Sequence, residues 1–157
     1  MKISVIGAGA MGGAMVQGML KGKTFANDDI TVADPSAKAL EQFDGTGATI
    51  TTDNTQAATA SDIVAVVVKP WFVECVLKGI KDNLDYAHQM LIVVAAGVSS
   101  EQIKEWLDKG DIEQSVICNR LWKLLNASAV VFTDADSHTK EEVVEYLIAV
   151  NRYLYAR

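Results

Sequence analysis

Gly7, Gly9 and Gly12 stand in the run Gly7-Ala8-Gly9-Ala10-Met11-Gly12, a GxGxxG directly after the apolar stretch at residues 3–6. The three glycines have separate uses. The first permits a sharp turn, the second lets backbone approach a pyrophosphate, and the third lets a helix pack close on a strand. A helix opening here would turn its free amides and the positive end of its dipole toward the anion. The chemistry implied is the holding of a dinucleotide, NAD or NADP, by its diphosphate. Asp34 closes a second apolar stretch and is followed by Pro35 and Ser36. A carboxylate at that place accepts a hydrogen bond from a ribose 2′-hydroxyl and repels a 2′-phosphate, which leans toward NAD. Two alternatives stay open: Ser36 and Lys38 are near enough in sequence to host a phosphate, and Asp before Pro also starts a turn with no ligand involved.

Other reactive residue types offer less. Cys75 and Cys118 are far apart with no CxxC, so neither a disulfide framework nor a cysteine zinc site is expected. Cys118 has no histidine near it in sequence and reads as a buried, inert thiol rather than a nucleophile. His88 falls in a polar loop and His138 near a helix start, positions where a lone histidine is solvated. Arg120 and Lys123 stand beside Trp122, which leaves two readings open: a pair of cations for an anionic group, or a solvated helix face with the aromatic turned inward.

These residues need elements to position them. The apolar pattern alternates short strand-like runs with helix-period runs. Strands are expected at 3–6, 30–34, 48–51, 62–69 and 90–96, then at 115–117 and 129–132. Helices are expected at 11–21, after Ser36, at 54–60, from Pro70, after Ser99 or Ser100, and at 139–154. The first carries Met11, Ala14, Met15, Gly18 and Met19 on one side. The one from Pro70 carries Phe72, Val73, Val76, Leu77 and Ile80. The helix after Ser99 or Ser100 carries Ile103, Trp106 and Leu107. In the last, Val143, Leu147, Val150 and Leu154 recur at helical spacing, a face for the sheet, with Tyr146, Tyr153 and Tyr155 broadening it toward a partner or a second copy. Strands separated by helices require parallel crossovers, so the fold class is α/β, a doubly wound, mostly parallel, Rossmann-like sheet.

Composition bounds the rest. The chain has 157 residues, half of them hydrophobic, with 14 Lys plus Arg against 20 Asp plus Glu. That is one domain, spanning 1–157, with enough apolar material for a core. A net charge of −6 and no basic block exclude a phosphate-backbone binder, so no nucleic-acid partner is expected. The apolar run at 3–20 is interrupted by five glycines and Gln17, which argues against a signal peptide, and no other stretch has the length of a bilayer span. A cytoplasmic location fits the sparse, unpaired cysteines.

The segments GAGAMGGAM, ADPS, TTDN, VVVKP and VVAAGVS, in that order, resemble the pyrroline-5-carboxylate reductase family over residues 1–119. The resemblance implies hydride transfer from a reduced NAD or NADP to the C=N carbon of pyrroline-5-carboxylate, giving L-proline. It also implies roles. Gly7, Ala8, Gly9, Ala10, Met11 and Gly12 would hold the pyrophosphate, and Asp34, Pro35 and Ser36 would meet the adenosine ribose. Asn54 would lie on the adenine side. Val68, Lys69, Pro70, Ala95, Ala96, Gly97 and Asn119 would lie beside the nicotinamide half. The family's Met-Pro-Asn-Thr-Pro stretch reads Ile117-Cys118-Asn119-Arg120-Leu121 here, keeping only Asn119. The family's second, all-helical domain, which forms the dimer and much of the substrate pocket, has no counterpart in the 157 residues. The expectation is therefore cofactor binding with weak or no turnover by the chain alone, and either a homo-oligomer or a partner that supplies a helical domain. The alternative is a non-catalytic dinucleotide-binding module.

Overall fold

The computed structural model of the chain describes residues 1–23 and 25–108; the strands expected at 115–117 and 129–132, the helix at 139–154, and Asn119 lie outside them. Five strands form one sheet: β1 (Ile3–Ile6), β2 (Ile30–Ala33), β3 (Thr49–Thr51), β4 (Ile63–Val66) and β5 (Met90–Val93). Their order is β3-β2-β1-β4-β5 and every pairing is parallel. Helices α1 (Ala10–Gly22), α2 (Ala37–Leu40), α3 (Asn54–Thr59) and α4 (Pro70–Ile80) make the crossovers, and α5 (Ser100–Trp106) follows β5.

Strand alternation divides the core in two. Ile3, Val5, Ile30, Val32, Ile63 and Ala65 pack with Met15, Val16 and Met19 of α1 and with Leu40 and Phe43. Ile6, Ala33, Val64 and Val66 point the other way, against Ala57 and Ala58 of α3, Val73, Leu77 and Ile80 of α4, and Ile103 and Leu107 around α5. Period-two alternation with apolar residues on both faces is what a sheet covered on both sides requires. Ser4 takes one of these inner places, fully buried, and its hydroxyl has no partner.

Element starts follow local chemistry. Ser36 caps α2 by accepting from the Ala39 amide, and Asp53 caps α3 by accepting from those of Thr55 and Gln56. Pro70 occupies the first turn of α4, where its missing N–H costs nothing. Ser99, not Ser100, caps α5, in a reciprocal box with Gln102.

The strands are shorter than the apolar runs suggest. β4 stops at Val66 and β5 at Val93, because β1 ends at Ile6 and offers no ladder beyond it. Further bonds from Val67 N to Ile6 O at 2.8 Å and from Val94 N to Val66 O at 2.9 Å close the two pairings before the chain leaves the sheet. Phe72 also departs from the expected pattern. The buried face of α4 is set by Val73, Leu77 and Ile80, and Phe72, one residue off it, is 53% exposed.

Candidate functional site

Because all five strands run the same way, the loops that follow them gather along one edge of the sheet. The strand order reverses at β1. The chain goes outward through β2 and β3, then returns through α3 to place β4 on the other side of β1. Ligands of open α/β sheets bind at such a reversal, outside the carboxyl ends of the strands. The loops after β1 and β4 meet there. A Cβ on Gly7 would come 2.2 Å from the carbonyl oxygen of Val67, and Gly7 has φ of +111°, so two independent constraints demand glycine. A Cβ on Gly12 would come 1.8 Å from the oxygen of Gly7, which is how closely α1 seats on the loop.

Gly9 differs from both. It is exposed, its φ is −67°, and nothing lies within 4 Å of where its Cβ would be. The fold itself does not need a glycine there. The first intrahelical bond of α1 runs from Gly13 N to Gly9 O at 2.7 Å, and no side chain caps the helix. The amides of Ala10, Met11 and Gly12 precede that bond and are left without an intrahelical acceptor at the helix start.

Asp34 follows β2 and is half-buried. Its Oδ2 accepts from the Ala8 amide at 2.8 Å, and its Oδ1 accepts from the Ser36 amide, also at 2.8 Å. It is thus both a turn former and a tie between the end of β2 and the glycine loop. Pro35 and Ser36 are exposed beside it. Gln42, which the sequence reading did not single out, holds the other side of the same residue. Its Nε2 donates to Ala8 O at 3.1 Å and to Ala39 O at 2.8 Å, while its Oε1 accepts from Gln17. The Ala8 N–H and C=O are both held by side chains distant in sequence. A shallow cavity of about 300 Å³ opens between Gly9, Gly13, Gln17 and Gln42.

The remaining expected residues fall along the same edge. Asn54 opens α3, just after β3, and its Oδ1 is buried with no partner. Beside it the Asp53 carboxyl is held below its ordinary range, first by the Thr55 hydroxyl and then by the Thr55 amide. Val68 and Lys69 lie in the link from β4 to α4, Pro70 opens α4, and Ala95, Ala96 and Gly97 follow β5, with Gly97 at φ of +71°. The exposed Lys69 places its Nζ 5.3 Å from the centroid of the Trp71 ring. Trp71 is 68% exposed and stands against Phe72 at the outer end of α4. His88 is in an exposed turn, bonded to Asp85 at 2.9 Å, away from this edge's loops in sequence and role. Among the described residues no cluster of metal-ligating side chains occurs, Cys75 is a free, exposed thiol, and no helix is long and apolar enough to cross a membrane.

The orphaned Asn54 oxygen, the open Gly9 and the uncapped α1 amides fit a dinucleotide laid across the strand ends: an acceptor for a base amino group, access for a diphosphate and donors to bind it.

Comparison with known proteins agrees with this architecture. Residues 2–97 match the family model described as NADP oxidoreductase coenzyme F420-dependent. A pyrroline-5-carboxylate reductase of Vibrio alginolyticus is 33% identical over 106 residues, covering 68% of this chain and 39% of that protein. A solved pyrroline-5-carboxylate reductase of Coxiella burnetii superposes with a TM-score of 0.65 at 31% identity, covering 69% of this chain and 40% of that one. The Plasmodium falciparum pyrroline carboxylate reductase solved with NADP bound shares the fold, with a TM-score of 0.60 at 23% identity over 70% of this chain and 38% of that one. The chain thus spans about two fifths of the length of these reductases. With its parallel sheet, its glycine turn and its match over residues 2–97, the chain belongs to the family described as NADP oxidoreductase coenzyme F420-dependent, and is similar within it to the N-terminal part of pyrroline-5-carboxylate reductases.

Proposed function

We propose that this chain is the NAD(P)H-binding part of an oxidoreductase that reduces a C=N bond, of the pyrroline-5-carboxylate reductase kind. The observation that carries the reading is the contrast among the three glycines of the first turn. Gly7 and Gly12 are demanded by packing, whereas Gly9 is open and exposed beside uncapped helix amides. A bound reduced nicotinamide dinucleotide supplies the hydride. The chain's own part is to bind and orient: the α1 amides hold the diphosphate, Asp34 and Ser36 flank the ribose, and Asn54 Oδ1 accepts from the base. Val68, Lys69 and Ala95 to Gly97 border the nicotinamide end. Orientation of this kind is the main protein contribution to hydride transfer, which needs no nucleophile. The groups that would grip an imine carboxylate are not among these residues. In this reading groups outside the described residues complete the substrate pocket, and the setting is cytoplasmic, consistent with the free Cys75 thiol.

The test is titration of the 157-residue chain with NADH and NADPH, followed by nicotinamide fluorescence and calorimetry. Saturable binding of at least one is expected, and binding of neither would refute the reading. Oxidation of the bound nucleotide on adding pyrroline-5-carboxylate distinguishes a reductase from a binding module.

A further inference from the structure

We propose that Gln42 is a positioning residue for the dinucleotide: it holds the Ala8–Gly9 peptide against a half-turn flip and so keeps the Gly9 N–H available to the diphosphate. The inference rests on the dinucleotide-binding reading above and adds a residue that stands outside the glycine motif.

Three successive peptides lead into α1, and each is held differently. The peptide between Gly7 and Ala8 is held by its N–H, which donates to Asp34 Oδ2 at 2.8 Å. The peptide between Gly9 and Ala10 is held by its carbonyl, which accepts from the Gly13 amide at 2.7 Å. The peptide between them depends on Gln42. Its carbonyl, Ala8 O, accepts from Gln42 Nε2 at 3.1 Å, and its N–H has no acceptor among the described residues. In a trans peptide the C=O and N–H point opposite ways, so drawing the carbonyl toward Gln42 fixes the N–H on the other side.

The flip is otherwise cheap at this place. It would carry Gly9 from φ of −67° to positive values, where glycine alone is at ease. The residue that leaves room for a ligand thus also leaves the peptide loose, and the Gln42 amide offsets that looseness. An inverted peptide would present a carbonyl oxygen where an anion needs a donor.

The Gln42 amide is itself held in one orientation. It lies in the 3-10 turn Glu41–Phe43 that follows α2. One Nε2 hydrogen goes to Ala8 O and the other to Ala39 O at 2.8 Å, while Oε1 accepts from Gln17 Nε2 at 3.1 Å. Exchanging the amide's oxygen and nitrogen would set its oxygen against two carbonyls. Gly13 leaves the space for this reach: a Cβ there would come 3.1 Å from Gln42 Oε1 and 3.4 Å from Ala8 O. The fourth glycine of the run thereby has a use that the GxGxxG does not give it. Without the clamp, loss of one hydrogen bond of ordinary net strength shifts the peptide equilibrium by about three- to tenfold, which bounds the loss of affinity.

The experiment compares the full chain with Gln42→Met, which keeps the length of the side chain and removes its donors. NADH and NADPH are titrated calorimetrically, and the Gly9 amide is followed by NMR. For whichever nucleotide the unaltered chain binds, Gln42→Met is expected to weaken binding by about two- to tenfold, with the ligand-free melting temperature within about 5 °C of the parent. The Gly9 resonance should be shifted or exchange-broadened in the ligand-free variant and sharpen again at saturating nucleotide. A role confined to packing would leave that resonance where the parent has it. Unchanged affinity, or weaker binding with an unmoved Gly9 resonance, overturns the inference and leaves dinucleotide binding intact. Should the variant fail to fold, the unaltered chain decides: its Gly9 resonance is expected to be single and sharp before nucleotide is added, and a resonance already in exchange overturns the inference. Binding of neither nucleotide by the unaltered chain overturns both this inference and the reading beneath it.

Discussion

Gly7 and Gly9 sit two residues apart and are constrained by different things. Gly7 is held by a positive φ and by the Val67 carbonyl; Gly9 by neither. Gly7→Ala is expected to lose more than about 2 kcal/mol of stability, because a strained backbone and a backbone clash act together. Gly9→Ala should stay within about 0.5 kcal/mol of the parent, as surface changes away from such features do, yet weaken dinucleotide binding by about tenfold or more, since the added methyl stands where the ligand approaches. Urea unfolding and fluorescence titration of the two variants separate these effects. Ser4 poses the opposite problem. Its hydroxyl is fully buried in β1 without a partner, so Ser4→Ala should be neutral or add up to about 1 kcal/mol, read as a raised urea midpoint. At this scale the sequence was informative where the signal is local: the GxGxxG spacing, and Asp34 before Pro35. It was silent on Gln42, whose grip on Ala8 joins residues 34 apart. It also gave Asp34 two competing readings, of which the structure shows the turn, together with an unforeseen tie to the Ala8 amide.

Among the elements, the caps show how the short helices persist. α3 has six residues, and its first amides depend on the Asp53 carboxylate. That carboxyl is held low by its bonds to Thr55, Asp85 is held low first by its bond to His88, and Asp108 first by its contact with Lys81. For each group the folded form sits below the ordinary 3.8, so its contribution is complete above that value and is lost as pH falls through the lowered one. The melting temperature should therefore be insensitive to these three groups near neutrality and drop below about pH 4, with Asp53→Asn flattening part of the fall. A pH series of thermal melts checks it. Helix starts were legible because Ser36, Pro70 and Ser99 act on their own neighbours. Strand ends were not. The apolar run 62–69 continues past the point where β1 stops, and only the partner strand decides where β4 must end. Phe72 was misplaced for a related reason: periodicity identifies an apolar stripe but not its edge, and the sheet chose Val73.

For the whole molecule, the two apolar faces of one sheet tie the described residues together, with the carboxyl-end loops along one edge of it. Leu77 is fully buried in the second of these faces. Leu77→Ala is expected to cost about 2–5 kcal/mol, as for other buried leucines, lowering the urea midpoint without changing its slope. The parallel class followed from alternating runs of strand and helix character, but the reversal of order at β1, which locates the edge that matters, is a property of assembly that no local pattern records. The empty space over Gly9 carries this separation of fold and ligand into evolutionary time. A lineage freed from the need for a nucleotide would accept almost any side chain at that position and still fold, while positions 7 and 12 would stay frozen. Residue 9 is thus where loss of a nucleotide could be tolerated without loss of the fold, and in this chain it is glycine.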